Sequence, residues 1–289
     1  MRIMSYLTGL AALLLLAAAP VLAADPAMVI AFAGNTYGYY DPCPTCGPQK
    51  LGGLARRATF IRQLRQDAAT SGKTLVVAGA WELLPEVAAT PPEPEKIPAI
   101  VKAHSQLGYD VWAVSPEEVK LLGAHKTAVP NGCTVLDATP QTKTMTIAGV
   151  SVGLVFFPTP KDVSAPVPDK LMDATAKAAA ELRAQHVRMV VGVSSWGALD
   201  EESFINTRHG AVDVLLGSGG GSGFPARTSK DGKTLWTRAY IKGKTINRLT
   251  LLALPGAADF IWKEGQNFDS KVVALDGAYP QDAAIEGLF

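Results

Sequence analysis

Short apolar runs alternate with amphipathic stretches along the first half of the chain. The predicted strands, each a continuous apolar run, are residues 28–33, 74–78 and 111–114. The predicted helices are residues 54–66, residues 97–107 with Pro98 near the first turn, and a third helix that begins at Pro116. This alternation of strand and helix is typical of an α/β protein.

The second half begins with strands and then returns to the alternating pattern. Residues 134–138, 142–147 and 150–157 read as adjoining strands and predict a meander. The remaining predicted elements are helices at 169–185 and around 201–206, and strands at 189–193, 212–216, 234–240, 245–253 and 271–275. Two α/β halves that each end in antiparallel strands predict an α/β sandwich whose strand ends carry the functional site.

Residues 1–24 have the pattern of a secretory signal peptide. Arg2 is their only charged residue, and an apolar run extends over residues 10–19. We expect this segment to be removed, and residues 25–289 to form one domain in the periplasm or outside the cell. No later apolar run approaches the roughly 20 residues that a membrane span needs.

Charge argues against a nucleic-acid partner. The chain has 27 Lys plus Arg and 26 Asp plus Glu, so removal of Arg2 leaves equal numbers of basic and acidic residues. A protein that binds nucleic acid usually carries an excess of basic residues on one face.

Two segments near the start resemble a known family. Residues 33–39 read Ala-Gly-Asn-Thr-Tyr-Gly-Tyr, and residues 52–61 read Gly-Gly-Leu-Ala-Arg-Arg-Ala-Thr-Phe-Ile. They resemble the opening of calcineurin-like metallophosphoesterases of the 5′-nucleotidase type, and later strand ends follow in the family's order as far as Phe260. The resemblance implies a single-domain, four-layer α/β/β/α sandwich.

The departures from that family lie at its metal ligands. Family members hold two divalent ions with Asp, Asn and His side chains, which polarise a phosphate ester and activate water. The corresponding positions in this chain, with Pro116 beside Glu117, are Asn35, Tyr37, Ala80, Glu117, Ser195, Gly219 and Gly221. Ala, Pro and Gly offer no side-chain ligand. We therefore expect a pocket formed by these seven residues, with no metal and no cofactor.

Other side chains provide weaker alternatives. Glu82, Glu117 and Asp41 could form a single site for a hard cation, although each is also explained as a solvated acid or an acid at a helix start. The four histidines, at positions 104, 125, 186 and 209, have no metal-ligand spacing and are interpreted as helix-surface or loop residues.

A Cys-x-x-Cys sequence lies in the loop after the first strand. Cys43 and Cys46 are spaced to form a disulfide, and cations such as Lys50, Arg56 and Arg57 would lower the pKa of a nearby thiol. Three interpretations stay open: a structural disulfide, a redox pair and a metal site. A thioredoxin-like site fits poorly, because Gly and Pro residues separate the second cysteine from the helix. Cys133 is either an inert buried thiol or a third partner in disulfide exchange.

Glycines and aromatic residues allow two interpretations each. Residues 217–223 are rich in glycine and would either bind phosphate through backbone amides or form a turn between strands. The aromatic side chains that would either line a pocket or pack in the core are Tyr37, Tyr39, Tyr40 and Trp196.

The sequence thus predicts an exported metallophosphoesterase-fold protein that lacks two-metal hydrolysis and acts by binding or by thiol redox chemistry at Cys43 and Cys46. Two alternatives stay open: a residual or metal-variant phosphoesterase, and a non-catalytic accessory or scaffold protein. The candidate partners are a small or phosphate-bearing ligand and a protein thiol or disulfide.

Overall fold

A computed structural model describes residues 25–84 and 93–289. The predicted signal segment, residues 1–24, lies outside the described residues. Within the described part of the chain, no helix is both long enough and apolar enough to cross a membrane.

The described elements follow the predicted alternation closely. The strands are β1 (Met28–Ala33), β2 (Thr74–Ala78), β3 (Val111–Val114), β4 (Cys133–Val135), β5 (Gln141–Ile147), β6 (Val150–Phe156), β7 (Met189–Ser194), β8 (Val214–Gly217), β9 (Phe224–Thr228), β10 (Leu235–Arg238), β11 (Thr245–Leu251) and β12 (Phe268–Ala274). The helices are α1 (Leu54–Gln66), α2 (Ile97–Gln106), α3 (Pro116–Ala124), α4 (Asp169–Ala184), α5 (Ala198–Thr207) and α6 (Ala283–Glu286).

The strands form two six-stranded mixed sheets. Sheet A has the order β12-β11-β1-β2-β3-β4, in which β1 to β4 are parallel and β11 and β12 are antiparallel to their neighbours. Sheet B has the order β5-β6-β7-β8-β10-β9, in which β6, β7, β8 and β10 are parallel. Each sheet therefore has one edge where the carboxyl ends of several parallel strands meet.

Three apolar layers hold the sheets and helices together. The first, which includes Phe32 and Leu216, lies between the two sheets. The second packs sheet A against α1, α2 and α3, with Phe60 and Ile100 among its members. The third packs sheet B against α4 and α5. Helices thus cover the outer face of each sheet, which confirms the predicted four-layer α/β/β/α sandwich.

One prediction about local structure was wrong, and two short elements were missed. β4 does not form a meander with β5 and β6, because it pairs with β3 in sheet A while β5 and β6 form a hairpin in sheet B. The sequence analysis also missed β9 and α6. Short elements of this kind leave little periodic signal, since β9 has five residues, of which Ala226 alone is buried.

Candidate functional site

Asn35 joins the two sheets at the carboxyl ends of their parallel strands. Its backbone N–H donates to the carbonyl of Ala80 at 3.2 Å. Its side-chain Oδ1 accepts from the N–H of Gly219 at 2.9 Å, and its Nδ2 donates to the carbonyl of Gly219 at 3.3 Å. The side chain is fully buried. Asn35 therefore bonds directly to two other predicted pocket residues, and the three follow β1, β2 and β8.

The turn after β7 holds the glycine segment that follows β8. Ser195 is buried at the end of β7, and two residues after Trp196 the N–H of Ala198 donates to the carbonyl of Gly220 at 2.8 Å. A Cβ on Gly221 would lie 2.7 Å from the Cβ of Ala198, so this close approach requires glycine. Ser195, Gly219 and Gly221 thus belong to neighbouring turns at one edge of sheet B.

Tyr37 and Glu117 are placed differently from the other predicted pocket residues. The Tyr37 N–H donates to the carbonyl of Trp81 at 2.9 Å, and its half-buried ring packs against the layer between the sheets. Glu117 lies in the first turn of α3, where its Oε2 is buried without a hydrogen-bond partner in the described part of the chain. Tyr37 therefore lies beside the loop after β2. In the described part of the chain, Glu117 makes no hydrogen bond to Asn35, Ala80 or Gly219.

A buried ion pair lies next to Asn35 on the side of sheet A. Arg57, from α1, donates from Nη1 to Oε2 of Glu82 and to the hydroxyl of Tyr109, both at 2.9 Å, and from Nη2 to Oγ1 of Thr36 at 2.7 Å. The Nε2 atom of His104 is 3.8 Å from the same carboxylate oxygen. Arg57, Glu82 and His104 are each 1% exposed or less.

Burial and charge set the ionisation of this group. Burial by itself would lower the pKa of Arg57, but Glu82 and Tyr109 raise it above its ordinary value, so the guanidinium is charged. Burial, and next the charge of Arg57, lower the pKa of His104 well below its ordinary value, so this imidazole is neutral. The prediction that the histidines are surface or loop residues was wrong for His104.

A second buried ion pair lies on the side of sheet B. Arg238, at the end of β10, pairs with Glu201 of α5, whose Oε2 also accepts from Nε1 of Trp236 at 2.9 Å. The Nη2 of Arg238 donates to the carbonyls of residues 218–220 at 2.7 to 3.2 Å. A Cβ on Gly217 would overlap the Glu201 carboxylate. One guanidinium therefore ties α5 to the glycine segment that also binds Asn35.

Sequence reasoning missed both ion pairs. Arg57 was considered as a cation for the cysteines and Glu82 as a spare acid, while Glu201 and Arg238 were not singled out. A sequence signal existed for Arg57 alone, within the Gly-Gly-Leu-Ala-Arg-Arg segment. Pairing across two sheets depends on topology, which local spacing does not reveal.

Glu118, in the first turn of α3, organises the loop after β2. Its carboxylate accepts from the backbone N–H groups of Trp81 at 3.0 Å, Leu83 at 2.8 Å and Ser115 at 2.8 Å. Burial raises its pKa to about 7, against the opposing effect of these bonds. The Ser115 hydroxyl in turn accepts from the backbone N–H of Glu118 at 3.2 Å. These two bonds form a capping box at the start of α3, and the helix begins at Pro116 as the sequence predicted.

Cys43 and Cys46 form a disulfide in a surface loop between β1 and α1. Both cysteines are half-buried, and Cys43 is anchored through its N–H to the carbonyl of Leu51 at 2.8 Å. The Oγ1 of Thr45 lies 3.7 Å from Sγ of Cys43. Arg56 is fastened to the same loop through the carbonyls of residues 49–50. The loop therefore presents a disulfide to solvent beside the Asn35 edge of sheet A.

Cys133 is separate from that pair. It is the one free cysteine among the described residues, and it is half-buried in β4, the outermost strand of sheet A. Burial, and to a smaller extent the charge of Glu118, raise the pKa of its thiol to about 12. A thiol with this pKa is almost fully protonated at neutral pH and is a poor nucleophile.

The sequence matches no protein-family model and no curated protein. Solved structures do match. A 5′-nucleotidase precursor from Thermus thermophilus has a TM-score of 0.65 at 16% identity over 90% of this chain and 57% of its own. The sulfate thiohydrolase SoxB from the same species has a TM-score of 0.66 at 14% identity, over 91% of this chain and 59% of its own. The calcineurin-like phosphoesterase YfkN from Bacillus subtilis gives 0.60 at 14% identity over 90% and 95%.

The chain has the calcineurin-like metallophosphoesterase fold. It spans less than three fifths of the first two of these structures and nearly all of the third. At these identities the likeness establishes the fold and leaves the chemistry to the site itself.

The strand ends of this metallophosphoesterase fold do not fit a pair of divalent cations. Among residues 25–84 and 93–289, no group of three or more His, Cys, Asp or Glu side chains is arranged to hold a metal ion. The Asn35 amide is bonded to Gly219, which like Ala80 has no side-chain ligand. The guanidiniums of Arg57 and Arg238 border the same residues, and each is already paired with the nearby carboxylate, Glu82 or Glu201.

Proposed function

We propose that this protein is an exported member of the metallophosphoesterase fold that does not use two-metal hydrolysis and that exchanges disulfides through Cys43 and Cys46. The observation that carries the proposal is the Cys43–Cys46 disulfide in a solvent-facing loop. Disulfides persist in oxidising compartments such as the periplasm, and this supports export. The neighbouring strand ends are packed by their own hydrogen bonds, whereas the disulfide lies in a solvent-facing loop where a partner thiol can reach it.

The exchange conserves atoms and electrons. A partner protein with two thiols attacks the Cys43–Cys46 bond through one thiolate and forms a mixed disulfide. The second partner thiol resolves it, so the partner gains a disulfide and this protein gains two thiols. The hydroxyl of Thr45, 3.7 Å from Sγ of Cys43, would donate to the departing Cys43 thiolate.

The proposal is tested by the reduction potential of the cysteine pair, measured in glutathione and dithiothreitol buffers. We expect a potential above about −300 mV, because structural disulfides lie below that value. Thr45→Val should slow the reaction with a dithiol peptide, since it removes the hydroxyl, whereas Thr45→Ser should retain the wild-type rate. A potential below about −300 mV, with no exchange, would favour the scaffold alternative.

A separate assay addresses hydrolysis. The solved structures with this fold include a 5′-nucleotidase precursor and a calcineurin-like phosphoesterase. For this chain we expect no turnover of AMP or p-nitrophenyl phosphate after incubation with Mn²⁺, Zn²⁺ or Mg²⁺. Turnover that a chelator abolishes, and that a metal restores, would overturn this part of the proposal and support a metal-variant hydrolase.

A further inference from the structure

An open cleft lies at the amino edge of sheet B. Arg188 immediately precedes β7, Asp213 immediately precedes β8, and Lys233 lies just before β10, while residues 255–258 and Phe260 form one wall. The cavity has a volume of about 790 Å³. Because the six residues of β7 rise about 3.3 Å each, the cleft is about 20 Å from the Asn35 edge. It is therefore separate from the candidate site described above.

Positive charge predominates in the cleft. Its basic side chains are Arg183, His186, Arg188, His209 and Lys233, and its acidic side chains are Asp213 and Asp231. Both acids already have basic partners in the wall. Arg183 pairs with Asp213 at 3.0 Å, and Nδ1 of His209 lies 3.4 Å from Asp231. Within the described part of the chain, Arg188 and Lys233 have no acidic partner.

These two cations differ in how many of their donors are used. The Nζ of Lys233 donates to the carbonyl of Ala258 at 2.8 Å and to that of Phe260 at 3.0 Å, so it holds the wall of the cleft. Arg188 is exposed, and the one hydrogen bond of its side chain in the described residues is a long contact of 3.4 Å to the carbonyl of Leu254. Most of the guanidinium donors of Arg188 therefore stay available.

The position of Arg188 is defined by the backbone beneath it. Its guanidinium lies against Gly256, where a Cβ would overlap Nη1. A glycine at this point leaves room for the guanidinium against the wall. Its remaining N–H donors suit the oxygens of a phosphate or sulfate group.

We propose that this cleft binds a small anion that carries a phosphate or sulfate group. Arg188 contacts the oxyanion directly, while Lys233, which has no acidic partner in the described part of the chain, contributes a second positive charge. This site is independent of the disulfide exchange proposed for Cys43 and Cys46.

The test titrates the purified protein at low ionic strength with inorganic phosphate, inorganic sulfate and, as a control, acetate. Backbone amide resonances in ¹⁵N NMR spectra report the location. We expect saturable shifts at Gly210 and Gly256 with phosphate or sulfate, no shift at Gly219, and little response to acetate. The tetrahedral anion that binds more tightly identifies the ligand class.

Variants test whether Arg188 binds the anion or only holds the wall of the cleft in place. Arg188→Gln should weaken phosphate or sulfate binding by about tenfold, since a charged hydrogen-bond donor is lost. Arg188→Lys should retain part of the affinity, and Arg62→Gln, in α1, should bind as tightly as wild type. The absence of saturable binding, equal binding of acetate, or undiminished binding by a folded Arg188→Gln protein would overturn the proposal.

Discussion

The two edges of sheet B use their arginines in opposite ways. At the carboxyl edge, Arg238 is fully buried, pairs with Glu201 and donates to four backbone carbonyls. At the amino edge, Arg188 is exposed, and its side chain makes one long hydrogen bond in the described part of the chain. The same side-chain type is a structural cross-link at one edge and an accessible cation at the other.

The difference shows why the functional site expected from the fold is not the open one. In this fold the carboxyl ends of the strands of both sheets meet at Asn35 and Gly219, and here buried side chains and backbone bonds occupy that meeting point. The charges there satisfy one another, so few are left for a ligand. The charges at the amino edge are incompletely paired and face solvent.

The largest effect is expected from breaking the Arg238–Glu201 pair. Arg238→Met leaves the buried Glu201 carboxylate without its cation and removes the bonds to residues 218–220. We expect a loss of about 3 to 5 kcal/mol in the free energy of unfolding, because an uncompensated buried charge is costly. Urea denaturation followed by circular dichroism measures this change.

A second variant isolates the ionic contribution. Removal of both charges in Arg238→Met with Glu201→Leu should recover part of that loss, since no buried carboxylate remains unpaired. A loss below about 1 kcal/mol in the single variant would contradict the assigned role, because that value is typical of exposed pairs.

Apolar periodicity was sufficient to predict most of the fold. The bounds of β1, α1, β2 and β3 agree with the predicted ranges, because buried parallel strands are continuous apolar runs and α1 has a clear helical pattern. β4 was assigned to the wrong sheet, since a three-residue half-buried strand does not specify its neighbour.

The candidate site was predicted in part. Sequence order placed Asn35, Ala80 and Gly219 at strand ends, and the structure joins them by hydrogen bonds. The role of Glu201 was not predictable, since an acid on a helix usually faces solvent. Its burial depends on Arg238, 37 residues later in the chain.

The second largest effect is expected at Gly217, beneath the same ion pair. Gly217→Ala places a methyl group against the Glu201 carboxylate, which Arg238 and Trp236 hold in place. We expect a loss of about 1 to 3 kcal/mol, the usual cost of overpacking, measured by the same denaturation assay. Gly123→Ala in α3 is the control, because no atom lies within 4 Å of its Cβ position and alanine favours a helix. A neutral Gly217→Ala protein would show that the pair tolerates displacement.

A smaller, pH-dependent effect is expected from His104 in the Arg57 group. Burial and Arg57 hold its pKa well below the ordinary value, so the unfolded chain takes up a proton near pH 6.5 and the folded protein does not. The stability that His104 contributes is therefore present above pH 6.5 and is lost as the pH falls. Between pH 6 and pH 5 the wild type should lose up to about 1.4 kcal/mol more than His104→Gln.

The control for this prediction comes from the other edge. His186 is exposed in the cleft, and His186→Gln is the matched substitution of a histidine outside the Arg57 group. Glu118 acts in the opposite sense, because its pKa is raised to about 7 and its contribution falls as the pH rises from about 4.3 to 7. The comparison must therefore be made between variants at each pH. If the free energy of unfolding changed with pH equally in the wild type and in His104→Gln, the assignment of a neutral buried imidazole to His104 would be contradicted.

The smallest effect on stability is expected at Arg188, where the two edges differ most. Arg188→Gln removes an exposed guanidinium with a single 3.4 Å bond, so the free energy of unfolding should change by no more than about 0.5 kcal/mol in urea denaturation. Glutamine keeps much of the side-chain length over Gly256 and limits loss of packing. A loss above about 1.5 kcal/mol would assign Arg188 to holding the wall of the cleft, and the contrast with Arg238 would then be one of degree. A negligible loss, together with weakened binding of phosphate or sulfate, would place stability and ligand binding at opposite ends of the same strands.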